Sequence, residues 1–192
     1  MFERELRQLS FVPRWVITRN LRTQSVAEHS FYVAVYAEQL AIWLGYEGDW
    51  QALIHAALWH DAEECFTGDI PGPTKRSIID SDRCEKFIMK GLKERFGNQV
   101  FNITEEQRVI LKIANLLDEV FYQAGEEEMG NLTAAQSKNL SIKRLKAAVE
   151  SLPLTAFTVV ELWGIIQYAI MDHNGAGQDK LPTNDDDLAT HG

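Results

Sequence analysis

The sequence of 192 residues contains few cysteines, no long apolar run and no excess of basic residues. Two cysteines, Cys65 and Cys84, cannot form a disulfide framework, and we assign no function to either. No apolar run reaches the roughly 18 to 20 residues that span a bilayer, and residues 1–10 alternate charge with leucine instead of forming a signal-peptide core. These absences predict a cytoplasmic protein without a membrane segment.

The charge balance disfavours binding to a nucleic-acid polymer. Lysine and arginine number 19 against 28 aspartates and glutamates, a net charge of −9, and the acid is concentrated at Glu126 to Glu128 and Asp185 to Asp187. Such a molecule repels a phosphate backbone as a whole. A small phosphorylated ligand is still compatible with this sum, because local arginines or a metal ion can dominate the field inside a cleft.

Hydrophobic periodicity predicts an all-α protein. Apolar residues make up 45% of the chain and recur at helical spacing almost everywhere, and no segment shows sustained alternation with period two. We expect one domain of about six to seven helices over residues 1–173, followed by a disordered acidic tail at 174–192 that is rich in glycine, asparagine and aspartate.

Helix boundaries follow from capping signals. Ser25 to Glu28 is a capping box that opens a helix ending near Leu44, before Gly45. A second helix is expected from Trp50 to Phe66, with Gly68 as its stop and His60 and Asp61 in its last turns. Further helices are predicted at Asp82 to Phe96, from the cap Thr104 to about Ala124, from the cap Thr133 to Glu150, and from Thr155 to Met171.

The adjacent pair His60 and Asp61 is the strongest chemical signal in the chain. Glu64 follows at helical spacing, so three ligand-type side chains share one patch, and His29 supplies a second imidazole from another helix. The alternative is an ordinary solvated acidic face, but acid near a helix C-terminus opposes the macrodipole. We therefore predict a metal site and a metal-dependent hydrolase.

Other histidines do not fit this site. His55 lies about 140° around the helix from His60, and His173 and His191 lie at or in the polar tail, so none is a ligand candidate. His29 alone would more often be a hydrogen-bonded interior histidine, and its assignment as a ligand depends on the neighbouring pair.

A fourth ligand is expected from a later helix, where Asn115 and Asp118 interrupt an apolar run. The two residues are one turn apart on one face, and a polar side chain there must be hydrogen-bonded, metal-bound or at a rim. We favour Asp118, with Asn115 as the alternative.

Two imidazoles and two carboxylates form a mixed site for a divalent ion such as Co, Mn, Zn, Ni or Mg. Such an ion polarises a phosphoryl oxygen and lowers the pKa of bound water from about 15.7 toward 7. Glu64 and Asp69 remain as catalytic base or acid, or as ligands of a second ion. The cations for a phosphate are Arg14, Arg19 and Arg22 before the first ligand helix and Lys75 with Arg76 after the proline-containing loop.

The motifs together resemble a known family. Arg14-Trp15, the segment RNLRTQSVAEHS at 19–30, HDAEE at 60–64 and TGDIPGPTK at 67–75 are similar to the HD-domain phosphohydrolases. Within that superfamily they resemble the YfbR-type 5′-deoxynucleotidases and the small phage dATP triphosphohydrolases. The resemblance is specific over about residues 14–75 and loose from there to about residue 171.

This resemblance implies an all-helical HD domain that holds a metal at His29, His60, Asp61 and a later aspartate. It implies cleavage of the 5′-phosphoester of deoxynucleotides, giving deoxynucleoside plus phosphate or triphosphate, by a homo-oligomer (dimer or higher). Glu64 and Asp69 would position water or hold a second ion. The family's last aspartate follows an alanine, and here Asn115 stands at that position, which motivates the alternative of a non-catalytic nucleotide-binding regulator.

The resemblance also implies roles in substrate binding. Arg14 would bind the phosphate, and Trp15 would pack against the sugar and exclude a 2′-hydroxyl. Trp15, Ile17 and Pro73 match the residues that form a snug adenine pocket in the phage enzymes. A ppGpp hydrolase or a cyclic-dinucleotide phosphodiesterase is disfavoured, because Trp15 and the loop at 68–73 resemble neither class.

Overall fold

The computed structural model of the protein describes residues 4–72, 74, 90–91, 94, 103–152 and 156–173. After a 3-10 helix at Arg4–Phe11, these residues form six α-helices and a single isolated β-bridge, so the all-α prediction is confirmed. The helices are α1 Val26–Trp43, α2 Trp50–Trp59, α3 Glu64–Thr67, α4 Glu105–Glu128, α5 Ala134–Glu150 and α6 Ala156–His173. Outside the described residues lie Pro73, Lys75, Cys84, the expected tail at 174–192 and, apart from positions 90, 91 and 94, the expected helix at 82–96.

Helix α4 is the central element of the fold. Its 24 residues pack against α1, α2, α5 and α6. Ile110, Ile113 and Leu116 on α4 are fully buried, as are Val33 on α1 and Leu145 on α5. Each buried aliphatic side chain of this kind contributes about 1.5–3 kcal/mol to folding, so the residues of α4 are held on a rigid scaffold.

The predicted helix starts after Ser25, Thr104 and Thr133 are confirmed, and a capping hydrogen bond is present at the first two. Ser25 Oγ accepts from the Glu28 N–H at 3.1 Å, although the Glu28 carboxylate pairs with Arg22 instead of completing the capping box. Thr104 and Gln107 form both halves of a capping box at the start of α4. Helix α5 begins directly after Thr133 as predicted, but the Thr133 side chain makes no capping hydrogen bond, because its hydroxyl bonds to the Asn131 side chain.

The second predicted helix is broken at the metal-site residues, which corrects the expectation of one continuous helix to Phe66. Helix α2 ends at Trp59, and bonds three residues apart, from Ala62 N to Trp59 O and from Glu64 N to Asp61 O, form a tighter turn before α3. His60 and Asp61 therefore lie just past a helix end. Gly68 ends α3 with φ of 70°, a conformation that favours glycine.

A closed loop precedes α1. The bridge between Pro13 and Ser25 is held by hydrogen bonds from Arg14 N to Gln24 O at 2.9 Å and from Val26 N to Val12 O at 3.0 Å. The loop therefore returns to the start of α1 and brings Arg14 beside the helix that carries His29.

Two features of the helices concern the expected lack of a membrane segment and the expected homo-oligomer. None of the described helices has an apolar stretch long enough to cross a bilayer. Helix α6 exposes Val160, Tyr168 and Met171, and the expected homo-oligomer stays a prediction.

Candidate metal centre and substrate cavity

Three donor atoms from two elements converge at one point. His29 extends from α1, and His60 and Asp61 come from the turn after α2. Their separations are 3.2 Å between the two Nε2 atoms, 3.1 Å from His60 Nε2 to Asp61 Oδ2 and 3.6 Å from His29 Nε2 to Asp61 Oδ2. Donors bound tetrahedrally at about 2.0–2.1 Å from one ion lie about 3.3 Å apart. These three residues therefore fit a divalent ion, and they form the one group of this kind among the described residues.

The hydrogen-bond partners of the two imidazoles fix their tautomers. His60 Nδ1 donates to the Ala57 carbonyl at 2.7 Å. His29 Nδ1 lies 2.5 Å from Asp118 Oδ2 and 2.6 Å from Arg14 Nη1, and we assign its proton to the bond with Asp118, since only the carboxylate can accept it. When both rings are neutral, each Nε2 carries a lone pair, and the two lone pairs face each other beside a carboxylate oxygen. Three acceptors at this spacing repel one another unless a cation lies between them.

The electrostatics of the centre favour a cation there. Burial lowers the pKa of His29 to about 4, so its imidazole is neutral at pH 7, as a ligand must be. Burial also opposes charge on His60, but the neighbouring Asp61 carboxylate outweighs it and raises the pKa of His60. Burial alone would raise the pKa of Asp61, but the attraction between Asp61 and His60 outweighs burial and lowers it. The centre attracts positive charge.

Asp118 lies outside the three-donor group, and its assignment as the fourth ligand stays a prediction. The His29 ring lies between it and the donor atoms, because Asp118 bonds to Nδ1 and the cluster uses Nε2. The Asp118 carboxylate is buried and also accepts from Gln24 at 2.9 Å and from Arg14 at 3.2 Å. Its position is that of a carboxylate that orients a ligating histidine.

Asn115, the alternative fourth ligand, retains a spare acceptor. Its Oδ1 is buried and has no hydrogen-bond partner among the residues that the structure describes. A buried amide oxygen without a partner costs about 1–3 kcal/mol, so a ligand for this atom would be stabilising. The fourth coordination position stays a choice between Asn115 and Asp118.

Glu64 and Asp69 follow the donor turn but lie outside the three-donor group. Glu64 is buried at the start of α3, and its backbone N–H bonds to the Asp61 carbonyl at 3.0 Å. Asp69 lines a cavity together with Arg14 and Trp15. The catalytic roles expected for both carboxylates stay predictions.

Trp15 is held in a strained backbone conformation at the cavity. Its φ of 63° is the one positive value at a non-glycine position among the described residues. For a bulky side chain this conformation is unusual and persists only where the surroundings enforce it. The indole stacks on Tyr122 with ring centroids 5.6 Å apart and donates to Gln24 Oε1 at 3.2 Å.

The other expected substrate residues divide into two groups. Arg14 and Ile17 line the cavity, Arg14 through a mostly buried guanidinium and Ile17 through an exposed side chain. Arg19 is exposed and does not line it, and its carbonyl accepts from Asn131 Nδ2 at 2.8 Å. Arg22 pairs with Glu28, and this hydrogen bond raises its pKa.

The cavity has a volume of about 260 Å³ and two walls. One wall is the loop from Arg14 to Thr18 with residues 69–72, and the other comes from α4 and α5. This volume is just below the range of about 300–1,000 Å³ that is usual for ligand pockets, which suits a small ligand.

Two residues that hold the site were missed in the sequence. Gln24 is buried and connects the Trp15 indole, the Arg14 guanidinium and the Asp118 carboxylate. Glu126, expected on an acidic surface, is fully buried and accepts from the backbone N–H groups of Leu21 and Arg22, at 2.7 Å each.

A sequence signal for this second group exists. Asp118, Tyr122 and Glu126 follow one another at intervals of four on α4, which places them on one face of the helix. The Tyr122 hydroxyl donates to the Arg22 carbonyl, and Asn131 donates to Glu126 at 2.8 Å. The polar stripe therefore binds the loop that carries Arg14 and Trp15.

Comparison with known proteins agrees with this geometry. The family model described as 5′-deoxynucleotidase YfbR-like matches residues 1–160. A dATP triphosphohydrolase of Salmonella phage PMBT28 is 33% identical over 176 residues, covering 85% of this chain and 86% of the phage protein. The 5′-deoxynucleotidase YfbR of Salmonella paratyphi B is 29% identical over 166 residues, covering 74% of this chain and 83% of its own.

A solved structure shares the fold. The cyanophage S-2L HD phosphohydrolase DatZ, bound to dA and one catalytic Zn²⁺ ion, superposes with a TM-score of 0.70 at 20% identity, covering 90% of this chain and 98% of that one. The resemblance to HD-domain phosphohydrolases is thereby confirmed. The chain belongs to the YfbR-like family of 5′-deoxynucleotidases.

Proposed function

We propose that the protein is a metal-dependent phosphohydrolase that cleaves the 5′-phosphoester of deoxynucleotides, releasing deoxynucleoside plus phosphate or triphosphate. The observation that carries this proposal is the convergence of two Nε2 lone pairs and one carboxylate oxygen at 3.1–3.6 Å. The two relatives support the substrate class, since one is named a dATP triphosphohydrolase and the other a 5′-deoxynucleotidase.

The metal ligands in this proposal are His29, His60 and Asp61, with a fourth donor from Asn115 or Asp118. When bound, a divalent ion polarises the phosphoryl oxygen and acidifies a water molecule. The neutral His29 suits this role, and Asp118 holds its ring so that Nε2 faces the donor group.

Arg14 is the proposed phosphate-binding residue. Among the described residues its guanidinium donates hydrogen bonds only through Nη1, to Gln24 Oε1 at 3.1 Å and to Asp118 Oδ2 at 3.2 Å, and the same atom lies beside the His29 ring. The rest of the guanidinium fork has no such partner and belongs to a side chain that lines the cavity. An oriented guanidinium can donate two parallel hydrogen bonds to phosphate oxygens, which stabilises the negative charge at the scissile bond.

Glu64 and Asp69 are the proposed groups that manage protons. Asp69 lines the same cavity as Arg14, so its carboxylate can accept a proton from water that attacks a phosphate held there. Glu64, buried one turn after Asp61, is proposed to position that water or to hold a second ion. Trp15 is proposed to pack against the deoxyribose.

The experiment that tests the proposal is a hydrolysis screen of the purified protein. All four deoxynucleoside mono- and triphosphates and their ribonucleotide counterparts are incubated with Mn²⁺, Co²⁺, Ni²⁺, Zn²⁺ or Mg²⁺, and phosphate and triphosphate are measured separately. We expect turnover of deoxynucleotides that exceeds that of ribonucleotides. If the protein binds a deoxynucleotide but hydrolyses none with any of the five metals, the proposal is refuted and the non-catalytic regulator is favoured.

A further inference from the structure

The α4–α5 wall of the cavity carries a polar group that neither the metal centre nor Arg14 uses. Glu119 Oε2 accepts from Ser141 Oγ at 2.9 Å and from Arg144 Nη1 at 3.0 Å. Glu119 and Ser141 are buried, whereas the Arg144 side chain is 50% exposed. All three residues line the cavity. A buried carboxylate and a guanidinium therefore stand side by side at one wall.

The cavity places these groups near the proposed substrate. Trp15, Ile17 and Leu140 supply its aromatic and apolar lining, and Arg14, which lines the cavity and also lies against the His29 ring, connects it to the metal centre. A planar base fits between apolar side chains, and its polar edge then needs hydrogen-bond partners from the cavity wall. In the described part of the protein, Glu119 Oε1 has no hydrogen-bond partner, and Arg144 donates only through Nη1.

The chemistry of the pair selects among bases. A carboxylate accepts hydrogen bonds only, so it suits an exocyclic amino group such as N4 of cytosine or N6 of adenine. A neighbouring guanidinium donates to the ring nitrogen beside that amino group. Thymine presents a carbonyl oxygen where cytosine has its amino group, and this oxygen would face the carboxylate and repel it.

We propose that Glu119, Ser141 and Arg144 read the base edge, and that the cavity takes deoxynucleotides of adenine or cytosine, whose exocyclic amino group lies beside an acceptor ring nitrogen. This inference rests on the proposed function for the identity of the ligand. Glu119 is the specificity-determining acceptor, Ser141 holds its carboxylate, and Arg144 supplies the adjacent donor.

Matched substrates isolate the base edge from base size. 5-Methyl-2′-deoxycytidine monophosphate and thymidine monophosphate both carry the 5-methyl group and have nearly the same size. They differ only in the hydrogen-bonding groups on the edge of the base. The adenine and hypoxanthine deoxynucleotides form a second such pair. For the wild-type protein we expect the amino member to be preferred about tenfold or more in kcat/KM in both pairs.

Variants assign the preference to residues. In Glu119→Gln the preference should fall to within about threefold, because an amide can donate to the carbonyl that the carboxylate repels. Arg144→Lys keeps the ion pair to Glu119 but loses the planar guanidinium. If Arg144 only holds Glu119 in place, this variant should keep the base preference, and if Arg144 reads the base, the preference should fall. Arg108→Ala is the control, since Arg108 forms an exposed pair with Glu105 and does not line the cavity. It should retain the wild-type preference.

Dissociation constants for the same nucleotides, measured by calorimetry on the metal-loaded protein, separate this inference from the proposed function. Absence of turnover with a preserved binding preference would refute the hydrolase assignment and support the base-reading edge. Equal binding of both members of each pair by the wild type would overturn the inference, as would an unchanged preference in Glu119→Gln. If Glu119→Gln fails to fold, retention of the full preference in Arg144→Lys would also overturn it.

Discussion

The donor cluster and the loop that lines the cavity are held in opposite ways. The cluster is formed by three side chains, from positions 29, 60 and 61, and α4 holds it through a side-chain contact between Asp118 and His29 Nδ1. The loop is held through its backbone by residues about 105 positions away, since Glu126 accepts from the N–H groups of Leu21 and Arg22. Helix α4 therefore holds the cluster through a side chain and the loop through its backbone.

This difference indicates which substitutions should affect metal binding and which should affect the substrate site. A ligand can be replaced only by another ligand, so the cluster tolerates little change. The loop presents Arg14 and Trp15 correctly only while Tyr122, Glu126 and Asn131 satisfy its backbone groups. Substitutions in the cluster should therefore abolish metal binding, and substitutions at Tyr122 or Glu126, which bind the loop, should loosen the substrate site without removing the metal.

The largest effect is expected from His60→Ala or Asp61→Ala. Each removes one of three converging donors, so metal binding and turnover should both be lost while the helical content is kept. Metal content after dialysis, hydrolysis and circular dichroism measure the three properties. His55→Ala is the matched control, because His55 stacks on Trp59 outside the donor group and should retain its metal. Near-normal activity with unchanged metal content in either cluster variant would end the metal-site proposal.

The donors could be found from the sequence because few residue types bind metals and an adjacent His-Asp pair is unusual. The helix starts at Ser25 and Thr104 were predicted because capping is local. The break after Trp59 was missed, since the apolar pattern continues across it and only hydrogen bonds three residues apart reveal the turn. The spacing of Asp118, Tyr122 and Glu126 indicates a polar face of α4, but the loop N–H groups that donate to Glu126 could not be predicted, because they lie about 105 positions away in the sequence.

A second effect, about 10- to 100-fold in metal affinity, is expected from Asp118→Asn. The amide cannot hold the Nδ1–H of His29 as the carboxylate does, so Nε2 is less well oriented. Titration calorimetry with Mn²⁺ or Zn²⁺ measures this independently of turnover. Asn115→Asp tests the alternative donor, and tighter metal binding in that variant would identify position 115 as the fourth ligand position. Unchanged affinity in Asp118→Asn would remove Asp118 from any role at the metal.

Glu126→Gln should cost about 1–3 kcal/mol of stability at pH 7, because the loop N–H groups lose a charged acceptor. Urea unfolding measures this cost. Turnover should fall through a higher KM with metal affinity unchanged, since the loop carries Arg14. A loss of metal affinity equal to that of Asp118→Asn would contradict the separation of the two regions.

The pH dependence of this variant follows from the pKa of Glu126. Burial opposes its ionisation, but hydrogen bonds from Leu21, Asn131 and Arg22 outweigh burial and lower the pKa below the ordinary 4.5. The unfolded state therefore takes up the proton first, and the stabilisation is complete above about pH 4.5 and is lost as the pH falls through the folded-state pKa. The stability difference between wild type and Glu126→Gln should shrink in acid, and a constant difference would argue against a charged Glu126.

Trp15→Ala should reduce discrimination against ribonucleotides by about tenfold, which corresponds to about 1.4 kcal/mol. The indole is fixed by Tyr122 and Gln24 at the cavity, so its removal opens space beside the sugar. The ratio of kcat/KM for matched deoxy- and ribonucleotides measures the change. If turnover collapses while the ratio is preserved, Trp15 acts as a packing residue of the loop and not as a selector.

The smallest effect is expected from Thr104→Ala, which alters α4 far along the chain from both regions. Thr104 caps the first turn of α4, and Gln107 in the same capping box also donates to the Asp49 carbonyl at 2.8 Å. Loss of the cap should lower stability by about 1 kcal/mol, read as a lower melting temperature. Metal affinity and the deoxy-to-ribo ratio should stay within twofold of wild type, because the remaining turns of α4 still fix Asp118 and Glu126. A change in either quantity would show that the start of α4 is coupled to the site. The positions of the loop and of the cluster would then both depend on the first turn of α4.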